Sequence, residues 1–212
     1  MNAPVSLKLV AHAATAAMRS GRFPDDDPLD ERGLADVQVA ASSAPWAEAT
    51  ASRVLSSPAR CAQDTATALL RHAQIETDDA LRDANYGRWR GMRLIDLSRE
   101  APAELQAWTQ DPSAAPHGGE SFDDVLRRIA AWMDGPSLRG HLSVVAVTHA
   151  VVIRAAVAHV VRTAHASRSE RGDPTAGPRV DVPPLSVVTF ERSSGGLDGW
   201  RLVESGTNHQ AR

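Results

Sequence analysis

The chain has 212 residues, of which 42% are hydrophobic and 23% are charged, and its formal net charge is -3. This composition predicts one globular domain over residues 1–212, and it excludes the strongly basic surface that nucleic acid or an anionic membrane would require. The single cysteine excludes an internal disulfide and a zinc cage built from cysteines, and it favours a reducing compartment. The N-terminus lacks the pattern of a secretory leader, and no stretch approaches the ~18 to 20 apolar residues that span a bilayer, so we expect a cytoplasmic protein.

The first half of the chain predicts two strands and a helix. Val5 to Val10 is a short apolar run typical of a buried strand. Arg19 to Gly33, rich in aspartate and proline, predicts a loop. In "SRVLSSPAR", Arg53 to Ser56 predicts a second strand, followed by a helix that Ser57 caps and Pro58 begins.

The second half of the chain continues this alternation. Ser121 to Asp134 is apolar at three- and four-residue steps and predicts a helix. Ser143 to Thr148 predicts a buried strand, and "HAVVIRAAVAHVVRTA" predicts the buried helix behind it. Ala166 to Pro184 predicts a loop, before "LSVVTFER" and "GWRLVES" form an antiparallel hairpin. The order of elements predicts an α/β fold with three layers, α/β/α, around a mostly parallel central sheet.

Three polar side chains are expected to meet at one edge of this sheet. His12 follows the first strand, Arg60 lies in the first turn of the helix after the second strand, and His149 follows the strand Ser143–Thr148. Open α/β sheets bind ligands outside the carboxyl ends of their strands. One histidine at a strand end is most often a hydrogen-bonded surface residue, but two with an arginine indicate a ligand site.

Six blocks of the sequence, taken in order, resemble the histidine phosphatase (phosphoglycerate mutase-like) superfamily. They are "LVAHAAT", "GRFPDDDPLDERG", "SSPARCAQDTATAL", "LRDANYGRWRGM", "PHGGESFDDVLRRI" and "VVAVTHAVVIRAA". His12 and Thr15 match the family's opening strand-R-H-G-x-T, whereas Ala11 replaces its arginine and Ala13 its glycine. The resemblance covers nearly the whole chain and implies a phosphoglycerate mutase-like fold.

The resemblance also implies a metal-independent phosphomonoesterase that acts on a small phosphorylated metabolite through a phosphohistidine. His12 would be the nucleophile, Arg60 would grip the phosphoryl oxygens, and His149 would donate from its ring. Asp83 matches the acid that protonates the leaving group, where the family more often has glutamate, and a turn cap is its structural alternative. The implied reaction requires no metal and no other cofactor.

Loss of the arginine at Ala11 predicts a rate lower by roughly 10- to 1000-fold. The candidates for binding the substrate are Thr15, Arg19, Arg22 and Glu120. The two arginines could replace the missing cation, although both could equally be solvated loop residues. Glu120 could line the pocket or cap the helix behind it.

A second hypothesis is a catalytically silent or repurposed homologue that binds a ligand or a protein partner, or acts on a substrate without phosphate. Ala11 favours this hypothesis, because a phosphate site needs cations. Retention of the two histidines, an arginine and an acid favours the enzyme. The sequence decides neither the substrate nor the oligomeric state, for which a homodimer is one option.

Overall fold

The computed structural model describes residues 4–43, 51–138, 141–167, 180–193 and 199–206, and these contain one six-stranded sheet. Its strands are β1 (Val5–Ala11), β2 (Arg53–Ser56), β3 (Ile75–Thr77), β4 (Ser143–Thr148), β5 (Val187–Arg192) and β6 (Arg201–Gly206). They lie in the order β3-β2-β4-β1-β5-β6. Strands β3, β2, β4 and β1 pair in parallel, whereas β5 runs antiparallel to both β1 and β6. The predicted α/β class with a mostly parallel sheet is confirmed.

Helices cover both faces of the sheet. In the described part of the chain they are α1 (Ala16–Arg19), α2 (Glu31–Ser43), α3 (Arg60–Leu69), α4 (Leu94–Glu100), α5 (Pro102–Gln110), α6 (Phe122–Asp134) and α7 (Ala150–Ser167). Helices α6 and α7 pack together on one face, and α2 and α3 pack together on the other. None of the helices within these ranges is both long and apolar enough to cross a lipid bilayer.

The sheet separates two hydrophobic cores. Leu9 and Val144 enter the core under α6 and α7, whereas their neighbours Val10 and Val145 enter the core under α2 and α3. Successive side chains of a strand point to opposite faces. Strands that are buried on both faces therefore consist of unbroken apolar runs, which is why β1 and β4 were recognisable in the sequence.

Several predicted elements have the expected bounds. Strands β2 and β4 begin and end as predicted, and β1 extends one residue further, to Ala11. Ser121 caps α6: its Oγ accepts from the backbone N–H of Asp124, whose carboxylate accepts from the N–H of Ser121. This reciprocal pair is a capping box, which satisfies N–H groups that the first turn of a helix leaves without partners.

Other predictions need correction. Helix α3 begins at Arg60 instead of Pro58, and its N-cap is Ala59 instead of Ser57. The Ser57 hydroxyl accepts from the N–H of Ala59 before the helix and lies 2.9 Å from Nε2 of His149. Helix α2 begins inside the predicted loop of residues 19–33, and β3, α4 and α5 occupy segments for which no element was predicted. The hairpin of β5 and β6 is confirmed. Its linking residues 194–198, and residues 168–179 of the last predicted loop, lie outside the described ranges.

The pairing of β1 with β4 places their carboxyl ends side by side. Ala11 pairs with Thr148, and the backbone N–H of His12 donates to the carbonyl of Thr148 at 2.9 Å. The Thr148 hydroxyl in turn donates to the carbonyl of Leu81 at 2.7 Å, which ties the segment before Asp83 to the same edge. Residues far apart in the chain thus converge beyond the end of the sheet.

Candidate active site

The imidazole rings of His12 and His149 lie against each other at the carboxyl edge of the sheet. Their centroids are 4.9 Å apart and the ring planes are inclined by 65°. Both rings line a cavity of about 460 Å³. The two histidines therefore lie together in the structure, as the sequence predicted.

One ring nitrogen of His12 is held by the backbone. Its Nδ1 lies 2.7 Å from the carbonyl oxygen of Ala13, and a carbonyl can only accept, so Nδ1 carries the proton. The lone pair of the neutral ring is then on Nε2. Burial and the neighbouring His149 ring lower the pKa of His12 to about 4, so the imidazole is neutral at pH 7.

His149 is the more deeply buried of the two rings, with 3% of its surface exposed. Its Nε2 lies 2.9 Å from the hydroxyl of Ser57. Its Nδ1 has no hydrogen-bond partner among the described residues, although the Asp83 carboxylate lies 3.4 Å away. Burial, reinforced by the positive charge of Arg128, lowers the pKa of His149 to about 3.

Asp83 lies on the segment that follows the 3₁₀ turn Asp79–Leu81. Its carboxylate borders the cavity beside His149, and burial raises its pKa to about 6. An acid of that strength can hold a proton in mildly acidic solution and release it near neutral pH. Asp83 also accepts from the N–H of Ala84 at 2.8 Å. This contact is of the turn-capping kind that the sequence offered as the alternative role.

Arg128 of α6 fixes the segment that carries Asp83. Its guanidinium donates to the backbone carbonyls of Ala80 and Arg82, at 2.7 Å and 3.0 Å. It also pairs with Glu120, which accepts from Arg82 and from the N–H of Asn85. Arg128 was not recognised in the sequence, although its place three residues after Val125 and four before Trp132 puts it beside the apolar face of α6.

Glu120 therefore neither lines the pocket nor caps the helix behind it, which were the two roles predicted from the sequence. It does not line the cavity, and the cap of α6 is Ser121. Two arginine partners neutralise its half-buried carboxylate. Its contacts are those of an anchor for the loop from Arg82 to Asn85.

Arg60 is not brought to the two histidines. Its side chain is exposed and absent from the cavity lining, while its backbone N–H donates to Asp26 at 3.0 Å. Cys61 lines the cavity instead. The family block S-S-P-x-x-R-A-x-x-T-A, counted back from Thr65-Ala66, puts its arginine at Cys61, so the sequence interpretation was displaced by one residue. The structure thus corrects the predicted triad of two imidazoles and the Arg60 guanidinium.

The buried thiol of Cys61 replaces a guanidinium with a neutral group. Burial, reinforced by the negative charge of Asp83, raises the pKa of the Cys61 thiol to about 12. Ala11 is also buried and neutral, in the core under α6 and α7. Ala11 and Cys61, which stand where the opening strand motif and the S-S-P block of the family have arginine, are therefore both uncharged.

The remaining predicted substrate contacts divide into one near the cavity and two away from it. Thr15 lines the cavity, and its Oγ1 caps α1 by accepting from the N–H of Met18. Arg19 is paired with Asp30 at 2.8 Å, and Arg22 donates to the hydroxyl of Ser20. Neither arginine lines the cavity, so neither replaces the missing cation in this conformation.

Three other arginines line the cavity: Arg82, Arg90 and Arg154. Arg82 is shared between Asp79 and Glu120, and Arg90 pairs with Asp25 at 2.7 Å. Arg154 donates through Nε to the carbonyl of Val180. All three lie inside the blocks "LRDANYGRWRGM" and "VVAVTHAVVIRAA" that resemble the family, but the sequence predicted no role for them.

Comparisons with known proteins agree with the resemblance found in the sequence. The family model described as Histidine phosphatase superfamily (branch 1) matches residues 7–201. Bifunctional protein Rv2228c of Mycobacterium tuberculosis is 34% identical over 135 residues, which make up 62% of this chain and 37% of that protein. Glucosyl-3-phosphoglycerate phosphatase of Mycolicibacterium vanbaalenii is 34% identical over 124 residues, 58% of this chain and 55% of that protein. The matches thus span less than two thirds of either relative.

The fold also matches solved structures. A structure described as mycobacterial hydrolase 1 superposes with a TM-score of 0.76 and 25% sequence identity, over 94% of this chain and 96% of that chain.

Proposed function

The chain belongs to the histidine phosphatase superfamily (branch 1), and on that premise we propose that it is a metal-independent phosphomonoesterase acting on a small phosphorylated metabolite through a phosphohistidine. The observation that carries this proposal is the state of His12. Its Nδ1–H donates to the carbonyl of Ala13. In the neutral ring the lone pair is therefore on Nε2, on the side of the ring away from that hydrogen bond. A nucleophilic imidazole needs such an oriented, unprotonated nitrogen.

The proposed reaction has two steps. Nε2 of His12 attacks phosphorus and the bond from phosphorus to the ester oxygen breaks, while protonated Asp83 gives its proton to the leaving alkoxide. The Asp83 carboxylate then takes a proton from a water molecule that attacks the phosphohistidine. The phosphorus–nitrogen bond breaks, and inorganic phosphate and neutral His12 are released.

Positive charge would come from the three arginines that line the cavity. Arg154 carries no acidic partner among the described ion pairs, and Arg82 and Arg90 add two further guanidinium groups. The ring of His149 can donate to a phosphoryl oxygen. These groups support a slow hydrolase, because neither Ala11 nor Cys61 contributes a cation at the centre of the site.

A second candidate function is a silent or repurposed homologue that binds a ligand or protein or transforms a substrate without phosphate. The observation that favours it is the absence of positive charge at both Ala11 and Cys61. Cytoplasmic location, one domain over residues 1–212 and a homodimer stay predictions beside either candidate.

Hydrolysis of an aryl phosphate at mildly acidic pH tests the proposal. We expect turnover that survives a chelator and falls to background in His12→Ala, together with an acid-labile phosphoryl group trapped on the native protein. The exposed His72 provides a matched control, since His72→Ala removes an imidazole away from the cavity and should leave turnover unchanged. Equal background rates in the native protein and His12→Ala would favour the second candidate.

A further inference from the structure

We propose that His12, Cys61 and His149 form a binding site for a divalent transition-metal ion of the zinc type. One ring nitrogen from each histidine and the Cys61 sulfur lie within 4.8 Å of one another. No other group of three metal-ligating side chains this close occurs in the ranges that the structure describes. The proposal does not depend on phosphatase activity.

The distances are near those of a formed site. Zinc bonds of about 2.0 Å to nitrogen and 2.3 Å to sulfur, arranged as a tetrahedron, put neighbouring ligand atoms roughly 3.3 to 3.7 Å apart. The longest separation therefore exceeds that of a metal-bound cluster by about 1 Å. Small side-chain rotations of Cys61 and the two rings would close this gap.

The hydrogen bonds of both rings leave one nitrogen free to coordinate. His12 donates Nδ1–H to the carbonyl of Ala13, which is the way metal-binding histidines are commonly oriented. His149 uses Nε2 with Ser57, and its Nδ1 is buried without a hydrogen-bond partner. A buried nitrogen without a partner is costly, and a metal bond would satisfy it.

The ligand types select the class of metal. Two imidazoles and a thiolate suit zinc, cobalt or copper, whereas magnesium and calcium require oxygen ligands. Three protein ligands leave the fourth position of a tetrahedron for the cavity, which Asp83 borders. On binding, the Cys61 thiol releases its proton to solvent, and the ion with its thiolate carries a net positive charge.

The metal and the proposed phosphohistidine exclude each other. Both need the lone pair on Nε2 of His12, so a bound ion blocks the nucleophile. We therefore expect zinc to inhibit any hydrolysis that depends on His12, and a chelator to restore it.

Cobalt titration of the full, untagged chain, stripped with chelator and kept reduced, tests the site directly. We expect one equivalent of Co²⁺ to produce a thiolate-to-cobalt absorption band in the near ultraviolet and tetrahedral bands in the visible. Because the chain has one cysteine, that band can come only from Cys61. A native, folded protein that binds no cobalt, or binds it without the thiolate band, would overturn the proposal.

Variants assign the other ligands. Cys61→Ser keeps the size of the side chain, and we expect it to abolish the band and to weaken zinc binding by roughly 100-fold or more. His12→Ala and His149→Ala should weaken binding similarly, whereas the exposed His72→Ala should bind as the native chain does. Unchanged zinc affinity in either ligand variant would contradict the assignment.

A measurement without mutation covers the case of a variant that fails to fold. Zinc should slow the reaction of Cys61 with a thiol reagent in the native protein, and it should raise the melting temperature. Labelling at the same rate with and without zinc would count against the site.

Discussion

At the scale of single residues, the centre of the cavity is uncharged at neutral pH. The pKa of His12 is lowered to about 4 and that of His149 to about 3, while the pKa of Cys61 is raised to about 12, in each case mainly by burial. A phosphate dianion placed there would meet hydrogen-bond donors but no guanidinium. We therefore expect the side chain at position 61 to set the balance between anion binding and metal binding.

Cys61→Arg should convert the centre of the site toward phosphate binding. A guanidinium beside the two rings would interact with developing charge on the phosphoryl oxygens, so we expect kcat/KM for an aryl phosphate to rise by roughly 10- to 1000-fold. Cobalt binding through sulfur should disappear in the same variant. The control is Gln63→Arg, which adds the same charge at an exposed position of α3. No gain in Cys61→Arg, or an equal gain in the control, would contradict this role of position 61.

Asp83→Asn should reveal whether this side chain acts as the acid. An amide cannot protonate an alkoxide, so we expect kcat for an alkyl phosphate to fall by roughly 100- to 10,000-fold. A nitrophenyl phosphate has a leaving group that needs little protonation, and its phosphohistidine-forming step should be much less affected in a single turnover. Asp134→Asn is the control, because that carboxylate is 57% exposed and its partner His159 does not line the cavity. Equal losses for both leaving groups would argue against acid catalysis.

At the scale of elements, α6 positions Asp83 through Arg128. Only 12% of the Arg128 side chain is exposed, and its partners are carbonyls of the Asp83 segment and the carboxylate of Glu120. We expect Arg128→Met to destabilise the protein by about 1.5 to 3 kcal/mol, since charged hydrogen bonds are lost and Glu120 loses a partner. Thermal or urea unfolding would measure the loss.

Arg127→Met is the matched control, because the next residue of the same helix is 75% exposed and pairs with Asp124 at the surface. Its stability should change by no more than about 0.5 kcal/mol. In a phosphatase assay with alkyl phosphates, Arg128→Met should lower kcat by a larger factor than it changes KM. Similar losses of stability in the two variants would show that Arg128 does not anchor the segment.

At this scale, the sequence predicts the buried strands correctly but misplaces one side chain of a helix. The strands β1 and β4 were predictable because burial on both faces requires continuous apolar residues, and parallel pairing then brings His12 and His149 together. Arg60 was misassigned because neighbouring helix residues point about 100° apart, so an error of one residue exchanges an exposed side chain for a buried one. The spacing of the family block detects this error, because counting back from Thr65 assigns the arginine position to Cys61.

The packing of loops is another feature that the sequence did not predict. His117, for which the sequence indicated no buried position, is 2% exposed and packs against Tyr86 and Trp89. This packing depends on contacts between segments that are distant in sequence. The backbone at Gly119 passes so near Asn85 that a Cβ there would lie 1.8 Å from the carbonyl oxygen. Periodicity carries no information about such a crossing.

At the scale of the whole molecule, the sheet and its two cores hold the cavity edge in place. Helix α7 begins directly after His149, and its buried residues pack in the core under α6. The His149 ring is therefore positioned by a rigid strand on one side and a buried helix on the other. Damage to this core should affect both stability and the site.

Ile153→Ala tests that connection. Ile153 has no exposed surface, and removing its buried methyl and methylene groups should cost about 2 to 5 kcal/mol. For a domain of this size, each kcal/mol corresponds to a fall in melting temperature of roughly 2 to 4 °C. Ile95→Ala, at a position that is 46% exposed on α4, should cost far less.

Because residue 153 lies one helical turn after His149, a cavity beneath it should also weaken cobalt binding, measured well below the melting temperature. Full destabilisation with unchanged cobalt affinity would show that strand β4 alone positions the ring.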